Sequence, residues 1–433
     1  MPAVSLKTSA RVLWVGMMLG LQACTHMPSP PAALSGLSLY ADVQRYEAFG
    51  PHRYGSPGAD QAFDWLAAEL RAAGLAVQDQ AFVMERQYEL RAASLHVAGQ
   101  RIDVLPQWWL PDASATFALE APIVASGPAP GAFVRLNLRY DQGAYLNASH
   151  KQALQAAFDR HPAAVLLTID HPSGEVYTYN VAQDDAPWPV PVILVAPRHA
   201  ALLDAAQASG QAIQLRVDGQ HRQRVAGRNV IARLDRGRPQ TVVVSTPVTG
   251  WHINACERGP GIAGFLALAR EAESRWPEVN VVFIATAGHE IGHGGMGYFL
   301  HDSAPPPAQV AAWAHFGASL ACFGWTRQDG QRVSDGMVDS RIRLVNASAS
   351  MAPLLQQPFA AIEGRRLVGQ DAAIGELREV YAAGYKNFFG MAGAHTFFHT
   401  TADTSAGTSP EALVPVVKAF AEVLDSVARQ AGR

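Results

Sequence analysis

Cysteine is nearly missing from this 433-residue chain, which has only Cys24, Cys256 and Cys322. Three thiols exclude a small fold built on disulfides. Charge of one sign is missing too: Lys and Arg number 34, only four of them Lys, against 37 Asp and Glu, for a net charge of −3. So weak a field does not hold a polyanion, which argues against nucleic acid as a partner. A charged fraction of 16% beside 49% hydrophobic residues excludes a disordered chain. No repeat of solenoid length recurs. At this length two lobes, or one domain with a large insertion, is the expected organisation.

Long apolar runs are also few. Lys7 and Arg11 precede one at residues 12–21, which ends in Leu21-Gln22-Ala23-Cys24. The run is too short to span a bilayer comfortably and has the layout of a secretory signal. Leu-Gln-Ala-Cys resembles the bacterial lipobox, which implies cleavage before Cys24 and lipidation of its thiol. Residues 1–23 then form the signal and residues 24–36 a tether. The mature chain is expected in the bacterial cell envelope, held to a membrane by its N-terminal lipid. Cys256 and Cys322 remain, and their spacing leaves open whether they pair.

The rest divides into three parts: residues 37–110, 111–226 and 227–433. In the first, Ser56-Pro57 reads as an N-cap followed by proline at the first helical position; Phe63, Leu66 and Leu70 keep helical spacing, and Gly74 stops the helix before a strand at residues 75–83. The last part alternates β-branched runs at residues 230–234, 241–245 and 279–286 with helical patterns at residues 262–270 and after Ser409-Pro410. Apolar strands alternating with helices are strands covered on both faces. The expected fold class is a three-layer α/β/α sandwich on a mostly parallel mixed sheet, with a smaller β-rich insertion at residues 111–226.

Seven of the 15 histidines lie in the last part, among them His252, His289, His293, His315 and His399. Ligands bind outside the carboxyl ends of strands in open α/β sheets, so imidazoles there suggest a metal site. Gly288-His289-Glu290-Ile291-Gly292-His293 contains HExxH, which serves zinc when a helix puts both imidazoles on one face. Here a strand runs straight into it, and Gly292, Gly294, Gly295 and Gly297 each cost a helix about 1 kcal/mol relative to Ala. A zincin helix is therefore not expected.

His52-Arg53-Tyr54-Gly55-Ser56-Pro57-Gly58, Arg228-Asn229-Val230-Ile231-Ala232 and His399-Thr400-Thr401-Ala402-Asp403-Thr404 resemble the entry, return and closing motifs of metallopeptidase family twenty-eight. These are zinc exopeptidases of the aminopeptidase Y type, whose fold also hosts glutaminyl cyclase. The middle part is similar to the protease-associated insertion of many members. The resemblance spans roughly residues 38–430 and implies metal ligands at Glu257, Glu290 and His399. It implies none at Pro247-Val248-Thr249 or Gly317, where the family has further ligands. That leaves one zinc per chain, with His289 in the general base's place as the catalytic residue and His252 and His293 as substitute ligands or supporting groups.

The activity implied is a zinc-dependent hydrolase of aminopeptidase type acting on peptides or small amides. Each of these residues also has a structural reading: Glu257, beside Arg258, can be one half of an ion pair. The alternatives are a non-catalytic binding lipoprotein on the peptidase fold and a glutaminyl cyclase-like acyltransferase.

Overall fold

The runs of β-branched residues form strands whose alternate side chains enter two different cores. In the strand Thr241–Pro247 every residue is buried. Val242 and Val244 pack into one core with Ile262, Phe265, Val417 and Phe420 from helices, while Val243 joins Met296, Phe299, Leu377 and Val380 on the opposite face. Asn280–Thr286 divides in the same way: Val281 and Phe283 face the first core and Val282 and Ile284 the second. This period-2 division makes the molecule a three-layer sandwich.

A computed structural model describes residues 34–328 and 331–433, and these observations come from it. The signal, the tether up to residue 33 and Cys24 lie outside the described residues. Thr241–Pro247 pairs in parallel with Asn280–Thr286 on one side and Val310–Phe316 on the other, and Phe388–Gly393 continues in parallel beside Val310–Phe316. Ile213–Leu234 and Arg343–Ala347 flank this centre as antiparallel strands. The full sheet has ten strands. Helices Gly36–Glu47, Ala255–Arg275 and Pro410–Ala431 pack against one another on one face. Ser56 and Ser409 cap their helices as the sequence implies, accepting from the backbone N–H of Ala59 and Ala412.

Three elements outrun their sequence signals. The strand expected to stop at Val83 extends from Ala76 to Val97, and its partner runs from Ile213 to Leu234. Their pairing covers nearly the whole of both strands. In this ribbon the charged residues face one another across the strands, as Glu89 with Arg222, Glu85 with Arg224 and Arg91 with Asp218. Cross-strand pairing therefore tolerates a polar stretch that reads as the end of a strand. The ribbon leads to a four-stranded sheet with its own core, built around Val165, Leu167, Val192 and Tyr179. Residues 34–433 nevertheless form one compact unit.

The third element is the helix expected at residues 262–270, which runs from Ala255 to Arg275 and is buried from Ala255 to Ala269. The Asp403 carboxylate accepts from the N–H groups of Cys256 and Glu257, at 2.8 and 3.1 Å. An anion on these otherwise unpaired donors extends the helix toward its start.

Cys256 and Cys322 form a disulfide across a sequence separation of 66. Among the described residues no helix is long and apolar enough to cross a membrane. On chain-entropy grounds, Cys322→Ser should cost about 4 kcal/mol of stability. Urea unfolding with and without reductant checks this, and equal midpoints in the two conditions would refute it.

Candidate functional site

The loops after the parallel strands meet over the C-terminal edge of the sheet. Thr249, two residues beyond Thr241–Pro247, donates its hydroxyl to Oε2 of Glu290 at 2.7 Å and accepts from the N–H of Gly288. Oε1 of Glu290 accepts from the N–H of Tyr54 at 2.8 Å. Glu290 is thus a buried carboxylate that joins three loops. Burial raises its pKa, and the bonds from Tyr54 and Thr249 only oppose that shift.

Glu257 lies in the first turn of its helix with 0% exposure, and Arg258 beside it has 1%. The Arg258 guanidinium places Nη2 2.9 Å from Oε1 of Glu257 and donates from Nε to the carbonyl of Thr249. Asn254 donates to the other Glu257 oxygen. Nε2 of His399 stands 3.5 Å from the same Oε1. Burial alone would raise the pKa of Glu257; Arg258 first and His399 next outweigh it and hold this carboxyl well below the usual range. The ion-pair reading of Glu257 is the one the structure displays.

The loop between the strands Ala164–Asp170 and Val192–Leu194 reaches into this cluster. The carbonyl of Thr178 lies 2.9 Å from Nδ1 of His399 and can only accept, so Nδ1 carries the hydrogen. The Thr178 hydroxyl contacts Nε2 of His252 at 3.3 Å. His252 is pushed down to about 3 by burial and then by His399 and Arg53. Asn254, His293 and His399 have φ of 55°, 57° and 56°. Such left-handed residues carry strain and gather where surrounding contacts over-determine the backbone.

The HExxH string is not a helix. His289–Ile291 is a single 3-10 turn, Gly292 has a φ of 83°, and the next helix starts at Gly294. The His289 and His293 rings are 4.6 Å apart, each with a carboxylate at Nδ1: Glu376 at 3.3 Å and Glu379 at 3.1 Å. Thr286 donates to Glu376. Burial first, then Arg258 and His293, hold the His289 imidazole neutral by lowering its pKa well below the ordinary value. His289 and His293 line a cleft with Arg258, His315, Arg378 and Tyr145. Nothing in the sequence pointed to Glu376, Glu379, Arg378 or Thr178. They come from a short helix and an insertion loop without a motif, and only packing brings them here.

Zinc takes O and N donors at about 2.0–2.2 Å, so three ligands of one ion crowd together. Among the described residues the one trio of His, Cys, Asp or Glu whose ligand atoms all lie within 4.8 Å of one another is Cys256, Cys322 and His395. Its two sulfurs are bonded to each other and are not thiolates. Glu257 and His399 meet, but Glu290 does not complete a trio with them, and a guanidinium already holds the oxygen they share. These residues, as placed, do not fit a zinc ion.

The architecture is that of the zinc exopeptidases. A zinc aminopeptidase from Bacillus subtilis matches with a TM-score of 0.66 over 89% of this chain and 94% of its own, at 16% identity. A family twenty-eight peptidase precursor from Shewanella amazonensis matches at 0.65 over 91% and 96%, with 15% identity. An aminopeptidase from an Aneurinibacillus species gives 0.60 over 90% and 93%, with 14% identity. No family description matches the sequence, and no curated protein does. The likeness is therefore one of fold.

Two predictions come from these charges. Glu257→Gln strands the buried Arg258 without its counter-ion and should cost about 3–5 kcal/mol, measured by chemical denaturation. A loss below about 1 kcal/mol, the worth of a surface pair, would refute the pairing. The second concerns pH. Burial lowers His52 and His315 to about 4 and His171 to about 3. The unfolded chain takes up protons below about pH 6.5 that the folded chain refuses. Stability should be full above that pH and fall as pH drops through 6 toward 4, by up to about 1.4 kcal/mol per pH unit for each histidine. Denaturant midpoints measured across this window check the slope, and a flat profile would contradict it.

Proposed function

We propose that this chain is an envelope lipoprotein that recognises a peptide or small amide in the cleft of an exopeptidase fold. The observation that carries this reading is the cleft itself. It opens at the C-terminal edge of the parallel strands, where α/β sheets bind ligands, and Arg258, His289 and His315 line it. A cavity of about 130 Å³ takes a terminal group or one side chain and not a long segment. Tyr145 and Asn180 from the insertion also line it, so the insertion belongs to the recognition surface. The disulfide supports export, since such bonds persist in oxidising compartments. The solved relatives include zinc aminopeptidases, which supports a peptide as the ligand class.

A second reading, hydrolysis of aminopeptidase type, is favoured by one arrangement. Thr286 orients Glu376, Glu376 faces Nδ1 of His289, and the imidazole lines the cleft. A neutral imidazole backed by a carboxylate is the form in which histidine accepts a proton. Recognition is the first reading because Glu257, Glu290 and His399 form no trio that fits a zinc ion beside this imidazole.

The two readings separate in one pair of assays. Recognition predicts that calorimetric titration with short free-amine peptides gives saturable binding that EDTA leaves unchanged, with no fluorogen released from aminoacyl substrates. Release that His289→Asn abolishes would make the protein a hydrolase, and absence of both binding and release would sink both readings. Palmitate labelling that Cys24→Ser abolishes tests the anchor.

A further inference from the structure

We propose that the Arg258 guanidinium is a built-in cation that takes the place of a zinc ion among Glu257, His399 and Glu290, so that the folded chain holds no zinc there. This holds whichever ligand occupies the cleft.

A carboxylate with no exposure must have a positive partner, because an isolated buried charge costs several kcal/mol or more. Glu257 is such a group, and two kinds of partner can satisfy it: a metal ion or a side-chain cation. The structure supplies the second. Arg258 follows Glu257 directly in the same helix, is buried to 1% exposure, and sets Nη2 at 2.9 Å from Oε1. Nε donates to the Thr249 carbonyl, so one hydrogen bond holds the guanidinium beside the carboxylate with which it pairs.

His399 strengthens the argument. Nδ1 of His399 meets the Thr178 carbonyl, which leaves Nε2 as the ring nitrogen that faces Oε1 of Glu257, 3.5 Å away. A buried imidazole nitrogen and a carboxylate oxygen facing one position are the donor types that zinc takes. Here the positive charge beside them belongs to the chain. An ion at this place would share Oε1 with a guanidinium nitrogen and feel its full repulsion. Glu290, the remaining donor, has both oxygens taken by Tyr54 and Thr249. The want of a metal-binding side chain at Pro247 and Gly317 and the presence of Arg258 therefore act in one direction.

The test uses the purified mature chain, incubated with excess zinc and then dialysed against metal-free buffer, with metal content and thermal midpoint as readouts. The expected wild-type result is a zinc content far below one per chain and a midpoint that neither zinc nor EDTA moves. Arg258→Met keeps apolar bulk and removes the charge; with Glu257 and His399 left as donors it should retain measurably more zinc than the wild type and show a rise in midpoint on zinc addition that the wild type lacks, as binding to the folded state requires. His399→Ala added to that variant should abolish the uptake. A wild-type chain with close to one zinc, lost in His399→Ala, would overturn the proposal, as would a folded Arg258→Met variant that binds none. Should Arg258→Met not fold, the wild-type midpoint with and without EDTA still decides: a drop on chelation overturns the proposal, and no change supports it.

Discussion

Glu257 and Arg258 are neighbours in one helix, and both side chains are shut away from water. Such a pair is tolerated only if its remaining hydrogen-bonding groups find partners, because each unmatched charge carries a desolvation cost of several kcal/mol. That requirement orders much of the surroundings. Asn254 turns toward Glu257 from a left-handed backbone, Thr249 offers its carbonyl to Arg258, and Asp403 holds the N–H groups that start the helix. His399 and the Thr178 loop close the far side. The long ribbon matters here because it leads to the four-stranded sheet whose loop delivers Thr178.

The site divides into two chemically different halves. Around Glu257 the charges pair, Asn254 donates to the carboxylate, and His399 ties the Thr178 loop to this half. Around His289 the imidazoles keep their carboxylate partners behind them and line the cleft. Arg258 belongs to both halves, since it pairs with Glu257 and also lines the cleft. The positive charge beside Glu257 is thus part of the polypeptide itself.

The layers, the helix caps at Ser56 and Ser409 and the parallel strands were legible because they rest on local signals: period-2 burial, proline after a capping serine, β-branched runs. The ribbon beyond Val83 was not, because its charged residues are stabilised by a strand over a hundred residues away. The early helix start at Ala255 was hidden in the same way, since the anion on its first N–H groups is Asp403. Of the site, Glu257 and His399 were legible as neighbours and the HExxH string as non-helical. Glu376, Glu379 and Thr178 gave no signal.

What the sequence by itself determined is the architecture and the short list of groups able to carry charge at the strand ends, because hydrophobic periodicity and residue chemistry are properties of the chain. Only the tertiary structure decided which charges neutralise each other. An ion pair is set by distances of a few ångströms and by exclusion of water, and neither is written in spacing along a chain. In sequence Glu257 beside Arg258 reads either as a metal ligand or as half of an ion pair; only burial of the two side chains against each other shows the pair.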